Sequence, residues 1–216
     1  MPKIALTTFL KLWTHSPSRK ESEYRKYLLP GGYDYYWSMK DGAEVLTSGG
    51  DLEQALAVLN GLSRETEREN NAYGIKTLAE LLAKLKGERF KAPRGSVSSP
   101  LGHLTIKTEP EFGIDLEGSR RRLVALWNTK TPEMTTALAA VGFGLMFDAL
   151  VHDQFKDCSC SIYDLRQKRW LVADATTATM RAAIRRELDW VDRLFENFLA
   201  EKDTHRAKER PYPRSL

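Results

Sequence analysis

The segment 111–130 constrains the fold most, because its pattern predicts two adjacent strands joined by a tight turn. Apolar residues alternate with polar or small ones over 111–117, which is typical of a strand with one face buried and one in solvent. The Gly-Ser pair at 118–119 supplies the turn. Consecutive apolar residues over 123–127 then predict a second strand, more fully buried than the first.

Three further elements complete the predicted sheet and its cover. A short strand is expected over 103–107 and a second hairpin over 159–173. The helix expected over 133–150 is apolar on nearly every side, as in a helix that lies in the core. We therefore expect residues 104–173 to form one sheet of about five strands, with this helix buried against it.

Helical periodicity dominates the first part of the chain and gives way to mixed elements later. The predicted organisation is a helical N-terminal region over 1–87, a turn-rich linker over 88–102, an α+β domain over 103–202 and a basic tail over 203–216. Helices followed by mixed elements are typical of the α+β class. The predicted fold is therefore α+β, with a helical N-terminal region followed by a small mixed β-sheet flanked by helices.

Composition narrows the function classes. Of the 216 residues, 42% are hydrophobic and 29% charged, which is ordinary for a globular protein with a core. No segment approaches the roughly 18 uninterrupted apolar residues of a membrane span, and the first residues lack a leader-like cleavage site, so we expect no membrane partner. Cys158 and Cys160 lie too close in sequence for an ordinary disulfide, which favours reduced thiols and a cytoplasmic location.

The charge distribution indicates an acidic partner. The net charge is +4 and the pI is about 9.0, which favours contact with nucleic acid. Three consecutive arginines in the predicted hairpin, Arg120, Arg121 and Arg122, are the predicted phosphate contacts, together with the basic tail. Solvated surface arginines give the same pattern, so that alternative stays open.

The order helix, three strands, helix, strand over about residues 63–173 resembles the core of the PD-(D/E)XK nuclease superfamily. This resemblance implies a restriction-endonuclease-like core, with an acid on the second core strand and an acid-x-lysine at the end of the third. In that family these residues bind a divalent metal and position the attacking water. Mg²⁺ is then the implied cofactor, and the sequence indicates no other.

Carried over to this sequence, the resemblance makes Asp115 and Lys130 the catalytic residues. Asp115 would ligate the metal with Asn128, and Lys130 would stabilise charge near the attacking water. Three acids of the preceding helix are candidates to complete the site: Glu65, Glu69 and Glu80. The sequence departs from the family pattern, because no proline precedes Asp115 and because Asn128 stands where the pattern has an acid or glutamine.

These departures favour a nucleic-acid-associated or interaction protein whose nuclease-like core is degenerate. Two alternatives stay open. The first is a Mg²⁺-dependent nuclease that uses Asp115 and Lys130. The second is a non-enzymatic interaction or regulatory protein in which the helical region 1–87 docks a protein partner.

Overall fold

The structure, a computed structural model, describes residues 2–27, 36–116 and 120–208, with side chains described as far as residue 201. The turn predicted at 118–119 lies outside the described residues, as does 209–216 of the predicted tail.

After the short first strand, the described chain has five consecutive helices, then five consecutive strands, and then a helix, two strands and a last long helix. The helices are α1 (Leu6–Trp13), α2 (Pro17–Lys26), α3 (Trp37–Thr47), α4 (Leu52–Ala57), α5 (Glu65–Lys84), α6 (Thr136–Leu150) and α7 (Ala178–Lys208). The strands are β1 (Lys3–Ala5), β2 (Glu88–Phe90), β3 (Gly95–Ser98), β4 (Thr105–Thr108), β5 (Phe112–Asp115), β6 (Arg122–Trp127), β7 (Ser159–Asp164) and β8 (Arg169–Ala173).

The larger sheet has five strands in the order β2-β5-β6-β7-β8. Its pairings are antiparallel except between β6 and β7, which run parallel and are joined through α6. A crossover helix is the usual connection between parallel neighbours. The smaller sheet has the order β1-β4-β3. These mixed sheets flanked by helices confirm the predicted α+β class.

The sheet differs from its prediction at the first strand. The strand expected over 103–107 is β4, which pairs with β1 and β3 in the smaller sheet, and the five-stranded sheet begins instead with β2. Both β2 and β3 lie in the segment 88–102, whose composition predicts a linker. These strands are three and four residues long and rich in polar and small residues, so periodicity does not identify them.

Strand β6 is buried on both faces of the larger sheet. Leu123 and Trp127 lie in one hydrophobic cluster with residues of α1, α2, α6 and α7, whereas Val124 and Leu126 lie in another with residues of α3, α4 and α5. A strand covered on both faces is apolar along its whole length, which explains the run at 123–127. The N-terminal helices thus cover both faces of the sheet.

Helix α6 is buried, as the sequence predicts. Ten of its fifteen residues are buried, and Phe143 is only 6% exposed. The helix begins one turn later than predicted, because the side chain of Thr135 caps it by accepting a hydrogen bond from the backbone N–H of Leu138 at 3.1 Å. None of the helices within the described residues has the length and apolar character needed to cross a membrane.

Candidate functional site

The strand register separates the two predicted catalytic residues. Asp115 ends β5, and its neighbour Ile114 pairs with Arg122 at the start of β6. Lys130 is exposed and follows the other end of β6, beyond Trp127. The five residue steps of β6 span about 17 Å. The structure therefore does not bring Asp115 and Lys130 together, and one cation could not bridge their positions.

Asp115 is engaged by a hairpin arginine. Its Oδ2 lies 3.9 Å from Nε of Arg121. The Arg121 guanidinium also lies over the ring of Phe90, 4.1 Å from its centroid, and 6.0 Å from that of Phe155. Of the three arginines predicted to contact phosphate, Arg121 is therefore occupied within the protein, while Arg120 is exposed and Arg122 half-buried.

Asn128 is turned onto helix α5 and away from Asp115. It is 5% exposed, and its Nδ2 donates a hydrogen bond to the backbone oxygen of Asn70 at 3.0 Å. A Cβ at Gly74 would lie 2.7 Å from that nitrogen, so glycine is required for this close approach. The predicted metal ligands Asp115 and Asn128 are thus not assembled into one site, and they do not fit Mg²⁺.

Arg166 holds the chain at Asn128, where it leaves β6. Its Nε donates to the backbone oxygen of Asn128 at 3.1 Å and one terminal nitrogen donates to Oδ1 of Asn70 at 3.1 Å. Its guanidinium lies 4.3 Å from the ring centroid of Tyr73. These contacts join β6, α5 and the turn between β7 and β8, which is a structural role.

The acids predicted on the preceding helix are exposed, and a different acid is buried. Glu65 and Glu69 are exposed. Glu80 pairs with Lys168 at 2.7 Å, and this hydrogen bond lowers the pKa of Glu80. Glu67, in the first turn of α5, is fully buried. Its spacing in sequence gives no sign of this, because its neighbours on the helix are also charged or polar.

Glu111 is a half-buried acid beside β5, at the same sheet end as Asn128 and Lys130. It directly precedes β5; its backbone N–H donates to the oxygen of Val124 at 2.9 Å, and its Oε2 accepts from the N–H of Leu126 at 2.8 Å. Burial raises the pKa of the Glu111 carboxyl to about 7, against the lowering effect of the Leu126 hydrogen bond.

Sequence reasoning missed Glu111 because the alternation over 111–117 assigns it to the solvent face. The residue before Glu111 carries a signal, because a proline precedes the strand acid in the nuclease family pattern that the sequence resembles. Pro110 stands directly before Glu111, whereas no proline precedes Asp115.

Glu111 lines a pocket of about 330 Å³ between α3, the end of β2 and the start of β5. We call it the Glu111 pocket. Four cations line it: Lys40, Arg89, Lys91 and Arg94. Three acids line it: Glu44, Glu109 and Glu111. Arg89, Lys91 and Arg94 are exposed at the mouth, together with the acids Glu44 and Glu109, whereas Lys40 and Glu111 are half-buried further inside.

The described side chains contain no group of three or more His, Cys, Asp or Glu residues placed to hold a metal ion. In comparisons with known proteins, the chain matches no family model and no curated protein sequence. The site presents exposed cations and acids around the half-buried carboxyl of Glu111.

Proposed function

We propose that this chain is a nucleic-acid-associated protein with a nuclease-like core that binds phosphate groups at the mouth of the Glu111 pocket without cleaving the strand. One observation carries the proposal. Arg89, Lys91 and Arg94 are exposed together at the mouth of a single pocket. Arginine pairs with phosphate oxygens through two parallel hydrogen bonds, and lysine adds a point charge.

The order of elements supports a nuclease-like core. Helix α5 precedes three antiparallel strands, β2, β5 and β6, which are followed by α6 and by β7 parallel to β6. It differs from the order inferred from the sequence in its first strand, because β2 takes the place of the strand predicted over 103–107, and β3 and β4 of the smaller sheet lie between β2 and β5 in the chain. It also puts an acid, Glu111, beside the end of the third strand.

The donor chemistry supports binding without cleavage. Asn128 offers an amide where the family pattern has an acid, and its Nδ2 is already bound to α5. Asp115 faces Arg121. Within the described residues, Glu111 belongs to no group of three or more His, Cys, Asp or Glu side chains placed to hold a metal ion, whereas a hard cation needs several oxygen ligands.

Local charge favours an anion at the mouth. Four cations face three acids in the lining, and partial protonation of Glu111 increases the positive excess near neutral pH. Exposed charges act over about 8–10 Å at physiological salt, so this excess acts on a strand that contacts the mouth. Arg120–Arg122 remain predicted additional contacts at the opposite end of the hairpin.

The test is fluorescence anisotropy with labelled single-stranded and duplex 20-mers at low and moderate salt, with a parallel gel assay in Mg²⁺ and Mn²⁺. We expect binding at low salt that weakens as salt rises, and intact strands with either metal. Absence of binding at low salt would overturn the proposal in favour of a protein partner docking on the helical region 1–87. Metal-dependent cleavage would overturn the non-cleaving part of the proposal.

A further inference from the structure

We propose that the Glu111 pocket receives a single guanine nucleotide unit, with its phosphate at the cationic mouth and the N–H donors of its base on the Glu111 carboxylate. This inference rests on the proposed function and specifies it, since it names which part of a strand enters the pocket. It requires an exposed base, as in a single strand or a strand end.

The size and walls of the pocket suit one nucleotide. Its volume of about 330 Å³ lies at the lower end of the range for small-molecule sites, about 300–1,000 Å³. The buried residues Ala92, Pro110 and Phe112 contribute apolar wall beside the charged groups. A duplex could reach the mouth only, whereas an unpaired base can enter.

The chemistry of a fixed carboxylate selects the base. One Glu111 oxygen accepts the Leu126 N–H, which orients the group and leaves further acceptor positions, because a carboxylate has about four lone-pair sites. Guanine presents two adjacent N–H donors on its pairing edge. Adenine and cytosine each present one donor beside an acceptor nitrogen, which would face the carboxylate unfavourably.

Protonation of Glu111 should make guanine binding depend on pH. The carboxyl must be ionised to accept two donors, and burial raises its pKa to about 7. The charged groups that line the pocket around it are Lys40 and Glu44 of α3 and Glu109, with Arg89, Lys91 and Arg94 at the mouth. Binding of a guanine unit within a strand should therefore strengthen as pH rises from 6 to 8, while binding of the strand's phosphodiesters at the mouth should change less, because their charge is constant over this range.

The experiment is equilibrium dialysis of the full chain at pH 8 against guanosine, inosine and adenosine monophosphates and inorganic phosphate. Guanine presents two N–H donors to the carboxylate, hypoxanthine (the base of inosine) presents one, and the one donor of adenine lies beside an acceptor nitrogen that opposes the contact. The variants are Glu111→Gln and, as a matched control, Glu44→Gln, which removes an exposed acid of the same pocket. A thermal melt of each variant verifies that it is folded.

We expect the guanine nucleotide to bind about tenfold or more tightly than the adenine nucleotide, as for a good two-bond contact to a base, with the inosine nucleotide between them. Glu111→Gln should abolish this preference and Glu44→Gln should retain it. Equal binding of the three nucleotides, or an unchanged preference in Glu111→Gln, would overturn the inference.

The two proposals fail separately. If the 20-mer binds with the expected salt dependence but the nucleotides do not differ, the guanine inference is wrong and phosphate binding stands. If the 20-mer does not bind while the guanine nucleotide is preferred through Glu111, the pocket inference stands and the proposed function is wrong.

Discussion

The Glu111 carboxylate and the Leu126 backbone N–H form a 2.8 Å hydrogen bond that ties the residue before β5 to the last residues of β6. The contact fixes an acid at the sheet end where Asn128 and Lys130 follow β6. Because this acid is largely withdrawn from water, its ionisation is coupled to folding and to whatever enters the pocket.

Glu111 should make stability pH-dependent. Its folded pKa of about 7 exceeds its ordinary value of 4.5, so the folded state binds more protons than the unfolded state between those values. The free energy of unfolding should therefore fall as pH rises from 4.5 through 7, by about 3 kcal/mol in total, because ionising the withdrawn carboxyl is unfavourable in the folded state. Glu111→Gln cannot ionise, so its stability relative to the unaltered protein should increase by up to that amount between pH 5 and 8.

Urea unfolding of Glu111→Gln and of the unaltered protein at pH 5 and 8 measures this difference. The other titrating groups contribute equally to the stability of both proteins, so their effect cancels in the comparison. Glu44→Gln is the control and should show no comparable change, because Glu44 is exposed. A difference between Glu111→Gln and the unaltered protein that stays constant across this pH range would show that Glu111 is not buried as described.

Gly74→Ala should destabilise the protein by about 1–3 kcal/mol, as overpacking does. The added Cβ would lie 2.7 Å from the Asn128 amide nitrogen, which is held by Asn70. Gly61→Ala is the control, because a Cβ there has no neighbour within 4 Å among the described residues. Equal denaturant midpoints for the two variants would contradict the close approach of Asn128 to α5.

Phe143→Ala should cost about 3–5 kcal/mol through the cavity it leaves. Phe143 lies on α6 in the hydrophobic core and is 6% exposed. The control is Leu199→Ala on α7, because Leu199 is 43% exposed. Denaturant melts give both values. A loss below about 1 kcal/mol for Phe143→Ala, as for a surface substitution, would show that Phe143 does not lie in the core.

Asp115→Asn should change stability by less than about 1 kcal/mol, since its 3.9 Å pair with Arg121 is exposed. It should also leave nucleic-acid binding intact, because Asp115 does not line the Glu111 pocket and faces Arg121 instead. Urea melts and anisotropy measure the two effects. If the unaltered protein cleaved DNA or RNA with Mg²⁺ and Asp115→Asn abolished this, the nuclease alternative would hold instead.

The fold was predictable where a pattern is long and local. The apolar run at 123–127 and the all-round apolar helix identify β6 and α6 because each is buried on every side. Strands β1, β2 and β3 were missed because each is only three or four residues long. Strands β1 and β2 also depend on pairing with strands far along the chain, as in the pair Lys3 and Thr105. Such pairings are determined by tertiary structure and leave little trace in local sequence.

The candidate site was less predictable than the fold. Alternation assigned Glu111 and Asp115 to the same solvent face, yet only Asp115 is exposed. What distinguishes them is packing around the start of β5, where Glu111 meets Leu126 and the residues of α3 that line the pocket. Arg89, Lys91 and Arg94 were passed over because they lie in the segment interpreted as a linker.

Phosphate binding at the mouth of the Glu111 pocket can be measured through the salt dependence of duplex 20-mer binding. We compare the unaltered protein with a variant in which Arg89, Lys91 and Arg94 are alanine. The matched control replaces three exposed arginines of α7, on the opposite face of the sheet: Arg185, Arg186 and Arg193. Both variants lose three positive charges, so only position differs.

We expect the pocket variant to bind more weakly and its slope of log affinity against log salt to flatten by up to about three units, one per lost phosphate contact. The α7 variant should retain most of the slope of the unaltered protein. Equal slopes for the two variants would mean that net charge alone governs binding, and an unaltered slope in the pocket variant would contradict phosphate binding at this pocket.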